Sequence, residues 1–217
     1  MIQSLFLMHT LSAMFPNILT ENQLKILPLL EPFNEEYYLA GGTAIALHIG
    51  HRKSIDFDLF TAGRIKRKAI KNWVNHLSVE SVTLLHEQDD QIHITIENVR
   101  VTFFSFPFEI KCSENIHGIM MPSLITLSAL KAFALGGRAK WKDYVDLYFI
   151  LSNYFSLKEV MGRADELFSG KFNGRLFRNK LRYFDDIDYE EKVEYLVKPV
   201  PEEKIKEFLT DISLELF

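Results

Sequence analysis

The stretch that decides the fold is residues 37–60, YYLAGGTAIALHIGHRKSIDFDLF. It begins with four apolar, β-prone residues, and Gly41 and Gly42 interrupt that run. Thr43 can cap a helix made of the apolar residues that follow, and a short cationic turn comes after it. From Ser54 onward apolar and polar side chains alternate, as they do in a half-buried strand. The stretch therefore predicts a strand, a glycine turn, a helix and a second strand.

Asp56 and Asp58 lie on one face of the second predicted strand, because side chains two positions apart point the same way. Two such carboxylates repel each other unless solvent or a divalent cation relieves the repulsion. Oxygen ligands of this kind suit Mg²⁺ (or Mn²⁺), which completes its shell with water and substrate phosphates. The glycine turn leaves backbone N–H groups free at a helix N-terminus, a natural phosphate site. The pattern favours nucleotide chemistry; the alternative is an edge strand with two solvated aspartates.

The same stretch resembles the signature of the polymerase-β-type nucleotidyltransferase superfamily, in which a Gly-Gly pair precedes an Asp-x-Asp. It is most similar to one branch, the AbiEii-type nucleotidyltransferase toxins of bacterial type IV toxin–antitoxin systems. Residues 181–186, LRYFDD, are similar to the C-terminal segment of that branch. A further set of residues resembles its downstream pattern: Lys131, Ala134, Leu135, Arg138, Lys142, Asp143 and Asp146. The resemblance extends from about residue 19 to residue 188.

This resemblance implies transfer of a nucleotide from an NTP to an acceptor, with Asp56 and Asp58 as the metal-binding catalytic residues. Lys131 would neutralise phosphate charge, and Asp143 would orient or deprotonate the nucleophile. The remaining nucleotide-binding candidates are Gly41, Gly42, Thr43, Ser54, Arg138, Lys142 and Asp146. The family further implies a toxin, an acceptor such as the 3′ end of a tRNA or another RNA, and a cognate antitoxin protein as partner.

One position departs from the superfamily pattern, which usually carries a third carboxylate on a later strand facing the first two. The matching position here is Thr102, which cannot be a strong Mg²⁺ ligand. Either two carboxylates and substrate phosphates hold the metal, or an acid from elsewhere completes the site. The gap leaves open a catalytically weak or inactive nucleotide-binding module. A transferase that modifies protein hydroxyls is a third hypothesis, whereas a protein that only binds RNA would not need the paired aspartates.

Composition and charge narrow the class of protein. A chain of 217 residues with 47% hydrophobic and 25% charged residues is typical of a soluble globular protein. Its net charge of −4 restricts any nucleic-acid contact to a local basic patch. Cys112 is the only cysteine, which excludes an intramolecular disulfide and fits a reducing cytoplasm. No stretch approaches the roughly 20 apolar residues of a membrane span, and residues 1–15 read as a leading helix rather than a signal peptide. We expect a cytoplasmic protein without a membrane partner.

The order of the predicted elements gives an α+β (α/β) fold. Three β-type runs at residues 81–86, 91–97 and 100–106 form a meander. With the first two strands they give a mixed β-sheet with flanking helices, and the resemblance implies the same nucleotidyltransferase-like sheet. We place this catalytic domain at residues 1–121 and a helical C-terminal domain at residues 122–217. Other helices are expected from a capping box at Thr20 and Gln23, over 64–77, from Ser123, over 140–152 and over 202–216.

A basic stripe in the C-terminal half is a candidate RNA-binding surface. Lys171, Arg175, Arg178 and Arg182 recur at spacings of four, three and four, which places them on one face of a predicted helix. Such a stripe is a minimal surface for tracking phosphates on an otherwise acidic protein. The alternative is a solvated helix face, its charge offset by the acidic run that follows.

Overall fold

The computed structural model describes residues 14–216 of the chain. The leading helix expected at residues 1–15 lies almost entirely outside that range. Within the described range, no helix is both long and apolar enough to cross a membrane.

A five-stranded mixed sheet forms the centre of the N-terminal half, with the spatial order β1-β2-β5-β4-β3. Strands β2 and β5 run parallel, and the other neighbours run antiparallel. The strands are β1 (Tyr38–Ala40), β2 (Phe57–Thr61), β3 (Val82–Glu87), β4 (Gln91–Ile96) and β5 (Val99–Ser105). The predicted meander and the predicted fold class are therefore confirmed. A small hairpin that the sequence did not predict follows, made of β6 (Glu114–Ile116) and β7 (Ile119–Met121).

Helices pack against this sheet and make up most of the C-terminal half. They are α1 (Glu21–Ile26), α2 (Gly41–Ile49), α3 (Arg67–Asn75), α4 (Leu124–Leu135), α5 (Trp141–Asn153), α6 (Leu157–Phe168), α7 (Gly174–Lys180) and α8 (Glu202–Ser213). The capping box at the start of α1 is confirmed, because Gln23 N donates to Thr20 Oγ1 at 3.2 Å and Thr20 N donates to Gln23 Oε1 at 3.0 Å. Short 3₁₀ helices cover Pro16–Ile18 and Leu27–Phe33.

The connection from β1 through α2 to β2 differs from the prediction in two details. Helix α2 begins at Gly41, directly after the strand, so Thr43 lies inside the first turn instead of capping it. Its hydroxyl is 2.8 Å from Ser54 Oγ and also contacts the carbonyl oxygen of Asp56, which ties the helix to the start of β2. Ile55, expected on the apolar face of the strand, is 55% exposed because the strand begins only at Phe57.

The buried core runs across the expected boundary between the two halves. Helix α2 is buried from Thr43 to Ile49 and contacts both α4 and α5. His48 Nε2 lies 3.0 Å from the carbonyl oxygen of Pro122. The division at residues 121 and 122 stays a prediction, and the packing shows that α2 contacts both the sheet and the helical half.

Candidate active site

A polar cleft of about 300 Å³ lies between the sheet and the helical half. It brings together nine of the residues that the sequence singled out: Gly41, Gly42, Ser54, Asp56, Asp58, Lys131, Arg138, Lys142 and Asp143. Two other candidates, Thr43 and Asp146, do not line it; their side chains are 1% and 0% exposed. Each is buried behind the cleft wall, so nucleotide binding by Thr43 or Asp146 stays a prediction that this geometry does not favour.

The backbone of the glycine turn lies close to the side chains of Asp58 and Arg52. Gly41 has a φ of 69°, in the left-handed region that favours glycine. A Cβ added at Gly41 would lie 2.2 Å from Asp58 Oδ2, and one added at Gly42 would lie 2.6 Å from an Arg52 guanidinium nitrogen. The positive φ and the close approach of Asp58 thus require glycine at position 41, whereas a side chain at position 42 would displace the end of Arg52. The turn presents the free N–H groups of the first turn of α2 to the cleft.

Asp56 and Asp58 are half-buried neighbours at the start of β2. Burial and the nearby charge of Asp56 raise the pKa of Asp58 above its ordinary value. The guanidinium of Arg100 pairs with Asp56 Oδ2. Two carboxylates forced together in this way fit a divalent cation with oxygen ligands. Among residues 14–216 no cluster of three or more His, Cys, Asp or Glu side chains could hold a metal, so substrate phosphates and water would have to complete the shell.

The strand register identifies the position of the missing third carboxylate. Thr102 on β5 pairs with Asp58 on β2, and His93 on β4 pairs with Thr102 from the other side. His93 Nδ1 lies 3.1 Å from Thr102 Oγ1. Besides the paired aspartates, the acids that line the cleft are Asp143 and Glu191, and both are held by cations.

Lys131 is the most deeply buried cation that lines the cleft on the helical side. Its Nζ lies 2.6 Å from Asp143 Oδ1 and 3.0 Å from Asp146 Oδ2. Burial alone would lower the pKa of Lys131, but these two carboxylates outweigh burial and raise it. Arg138 Nε lies 3.1 Å from Asp143 Oδ2, and its side chain is 53% exposed. Both oxygens of Asp143 thus hold cations in place.

Behind this wall, Asp146 joins α5 to the cationic turn before β2. Arg52 donates from Nε to Asp146 Oδ1 at 2.7 Å and from Nη2 to Oδ2 at 2.9 Å. His51 Nε2 lies 2.7 Å from Oδ1, and its Nδ1 is buried without a hydrogen-bond partner on the described chain. Burial would raise the pKa of Asp146, but Arg52 and Lys131 outweigh it and lower the pKa well below the usual value.

Sequence reasoning missed several of the polar groups that line the cleft. Arg100 lies two residues before Thr102 on the same strand, so alternation along β5 could have placed it on the same face. Lys140, which was not predicted, and Lys142, which was, hold Glu191 at 2.8 Å and 3.1 Å. Burial would raise the pKa of Glu191, but these two hydrogen bonds lower it to about 2. Nothing local in the sequence indicates that Glu191, far along the chain, closes this side of the cleft.

The basic stripe is divided in the structure. Helix α7 covers only Gly174–Lys180, so the prediction of one helix face for all four residues is wrong. Lys171 precedes the helix and lies over the Phe108 ring, 5.2 Å from its centroid. Arg178 donates to the carbonyl oxygens of Ser213, at 2.8 Å, and Glu215.

Lys171, Arg175 and Arg182 are exposed and Arg178 is half-buried, so the exposed basic surface is not one continuous stripe. Arg175 and Arg182 are exposed at the rim of a shallow hollow between α7 and the end of α8. Arg182 donates to Asn179 Oδ1 at 2.8 Å, which leaves much of its guanidinium open to solvent.

The mixed five-stranded sheet with its flanking helices is a nucleotidyltransferase-type fold. In its cleft the glycine turn lies against Asp58, and the buried Lys131 lines the helical side. The profile of the family described as nucleotidyl transferase AbiEii toxin, type IV TA system, matches residues 29–117. An uncharacterized protein of Aquifex aeolicus is 30% identical over 190 residues, which cover 80% of this chain and 88% of the relative. The chain belongs to the AbiEii nucleotidyltransferase toxin family.

Solved structures agree on the fold. MenT4, a nucleotidyltransferase toxin of Mycobacterium tuberculosis, superposes with a TM-score of 0.57 and 13% identity over 88% of this chain and 81% of that one. JHP933 from Helicobacter pylori superposes with a TM-score of 0.52 and 15% identity over 90% of this chain and 91% of that one. At these identities the similarity concerns the fold alone.

Proposed function

We propose that this protein is a toxin that transfers a nucleotide from an NTP to a hydroxyl of an RNA, such as the 3′ end of a tRNA, with Mg²⁺ or Mn²⁺ as cofactor. The observation that carries the proposal is the polar cleft itself. In it the paired carboxylates of Asp56 and Asp58 adjoin the Gly41-Gly42 turn and face the buried Lys131.

Asp56 and Asp58 are the residues that would hold the metal, which when bound stabilises charge on the attacking and leaving oxygens. The N–H groups at the start of α2 and the hydroxyl of Ser54 are placed to bind phosphate oxygens. A helix N-terminus favours negative charge, and these donors need no reorganisation when charge develops. Gly41 permits this arrangement, because a side chain there would displace Asp58.

Lys131 and Arg138 supply the positive charge on the opposite wall. Asp143 fixes both cations. Of the two roles predicted for Asp143, orientation fits these contacts better than deprotonation, because Lys131 and Arg138 already occupy both of its carboxylate oxygens. Lys142 adds charge at the rim and is held by Glu191.

Asp146 acts on the cleft indirectly. It holds Lys131 from behind and fixes Arg52 against the glycine turn. We therefore assign Asp146 and Arg52 as positioning residues, and not as nucleotide ligands.

The proposal of a surface that binds the acceptor RNA rests on charge. Arg175 and Arg182 are exposed on a protein of net charge −4, so they are a local site for RNA phosphates. An RNA acceptor and NTP imply a cytoplasmic protein, and family membership implies a cognate antitoxin as a further partner.

Thr102 favours one alternative, a nucleotide-binding module with weak or no turnover, because the register puts a hydroxyl where the superfamily usually has a carboxylate. A transferase that modifies protein hydroxyls would use the same cleft.

One experiment separates these functions. The protein is incubated with Mg²⁺, total RNA, total protein and each of the four NTPs labelled at the α-phosphate. We expect label in the RNA fraction, whereas label in the protein fraction supports protein modification. Nucleotide binding without labelling of either fraction supports the inactive module.

Variants connect the label to the cleft. Asp56→Asn and Asp58→Asn should each abolish labelling with little change in thermal stability. Asp165→Asn on α6 makes the same change of charge at an exposed position away from the cleft and should label as the wild type does. Full labelling by both cleft variants would contradict the assignment.

A further inference from the structure

A row of polar side chains crosses the sheet from the cleft to its edge strand. Thr102 on β5 pairs with Asp58 of β2 on one side and with His93 of β4 on the other. His93 in turn pairs with His86 on the edge strand β3. Asp58, Thr102 and His93 all line the cleft. Thr102 and His93 thus lie beside the proposed metal site, and the function proposed above gives neither of them a chemical role.

The hydrogen bonds of His93 determine which of its ring nitrogens carries the hydrogen. Gln91 Nε2 donates to Gln88 Oε1 at 2.9 Å, which leaves the oxygen of the Gln91 side chain for His93. That oxygen lies 3.3 Å from His93 Nε2 and can only accept, so Nε2 carries the hydrogen. His93 Nδ1 is then unprotonated, and the hydroxyl of Thr102, 3.1 Å away, donates to it.

The surroundings of His93 favour the neutral ring. Partial burial lowers the pKa of the imidazole, and the charges of Arg100 on β5 and His86 on β3 lower it further, against the opposing effect of Asp56. Because the usual pKa of histidine is about 6.5, a lowered value leaves the ring unprotonated at neutral pH. An unprotonated nitrogen that already accepts a hydroxyl hydrogen is suited to general base catalysis.

The other acids of the cleft are already engaged. Asp143 is held by two cations on the helical side, and so is Glu191. Asp56 and Asp58 are assigned to the metal in the proposed function. The hydroxyl that attacks the NTP still has to lose its proton, so a base is needed on the sheet side of the cleft.

We propose that Thr102 and His93 act together in place of the third carboxylate. Thr102 contacts the attacking hydroxyl of the acceptor, and His93 takes the proton through Thr102. The inference rests on the proposed function, since it takes the metal and the NTP to lie beside Asp58, the strand neighbour of Thr102.

The step balances without a further reactant. As the acceptor oxygen forms its bond to the α-phosphorus, its proton moves to Thr102 Oγ1, and the hydrogen of Thr102 moves to His93 Nδ1. The bond between the α-phosphorus and the bridging oxygen breaks, and pyrophosphate leaves with the electron pair. His93 is then an imidazolium that still donates from Nε2 to Gln91, and it returns the added proton to water in the cleft.

The test is the single-turnover rate of transfer from α-labelled NTP to total tRNA, with Mg²⁺ and enzyme in excess, between about pH 5 and pH 8. The wild-type rate should rise about tenfold per pH unit below the pKa of His93 and be level above it. Glutamine can hydrogen-bond to Thr102 but cannot take up the proton. His93→Gln should therefore lower the rate at least about 100-fold at neutral pH and remove the rise, while the Kd for NTP stays unchanged.

Two further variants separate proton transfer from a structural effect. His86→Gln is the matched control, because the His86 ring lies 5.7 Å from the His93 ring but does not line the cleft; it should keep the wild-type rate at neutral pH and the rise below it. Thr102→Asp supplies the carboxylate that the superfamily usually has. In that background His93→Gln should lower the rate less than about tenfold, because the carboxylate accepts the proton directly.

Three results would overturn the assignment while leaving the metal and phosphate site intact. One is the same pH dependence in His93→Gln as in the wild type. Another is an equal loss from His93→Gln in the wild-type background and in an active Thr102→Asp background. The third is nitrogen NMR that finds the neutral His93 ring protonated at Nδ1 instead of Nε2. If the wild type labels no acceptor at any pH, the proposed function fails as well.

Discussion

Asp146→Asn is the substitution whose effect the structure determines most closely. The carboxylate is fully buried and accepts two hydrogen bonds from Arg52 and one from His51, with Lys131 Nζ 3.0 Å away. The amide keeps the shape of the side chain but removes the charge, so Arg52 and Lys131 remain buried with less compensation.

The expected cost follows from that burial. Breaking a buried ion pair typically costs about 3–5 kcal/mol. Lys131 retains Asp143 as a partner, so we expect the lower end, about 3 kcal/mol. For a protein of this size each kcal/mol lowers the Tm by about 2–4 °C, which predicts a fall of about 6–12 °C.

Calorimetry or urea unfolding at several pH values measures this effect. The pKa of Asp146 is lowered in the folded state, so its contribution is fully present above the unfolded pKa of about 3.9 and is lost as the pH falls through the folded value. The difference in stability between wild type and Asp146→Asn should be constant from about pH 7 to pH 5 and should shrink below about pH 4. Asp165→Asn, on an exposed face, should change stability by no more than about 0.5 kcal/mol. A loss below about 1 kcal/mol for Asp146→Asn, where a buried pair predicts about 3, would refute the reasoning.

Two further predictions concern the glycine turn and the basic surface. Gly41→Ala should lower the rate of transfer at least about tenfold and the free energy of unfolding by about 1–2 kcal/mol, because alanine is strained at this φ and its Cβ displaces Asp58. Gly63→Ala is the control and should retain activity, because only Thr61 Oγ1 lies near the added Cβ. Equal rates for both variants would exclude a close approach at the turn. The double variant Arg175→Gln, Arg182→Gln should weaken RNA binding while the Kd for NTP stays unchanged. Each lost phosphate contact reduces the slope of log affinity against log salt concentration by about 0.7–0.9, so the two together should reduce it by about 1.4–1.8. An unchanged slope would show that this surface does not bind RNA.

Local patterns predicted the elements around the cleft. Alternation and glycine placement gave β1, α2 and β2, and the turn residues gave the meander of β3 to β5. The resemblance to the superfamily pointed to Thr102 as the residue that faces the paired aspartates, and the strand register pairs it with Asp58. Strands, helices and turns depend mainly on residues that are close in sequence, so the periodicity of apolar residues predicts them.

Contacts between distant segments could not be predicted in this way. Asp146 and Arg52 are 94 positions apart, and no spacing indicates that they meet in the core. Arg178 looked like a member of a solvated or RNA-binding stripe, but its guanidinium contacts the end of α8. In both cases a charged side chain has a structural partner that only tertiary packing supplies.

The position of the transferred label tests the central claim most directly. In Mg²⁺ the acceptor RNA should become labelled by NTP carrying ³²P at the α-phosphate and remain unlabelled with ³²P at the γ-phosphate, because nucleotidyl transfer leaves the β- and γ-phosphates in the departing group. Asp58→Asn should abolish the α-label. Transfer of the γ-label, or an α-label that survives in Asp58→Asn, would contradict nucleotidyl transfer at this cleft.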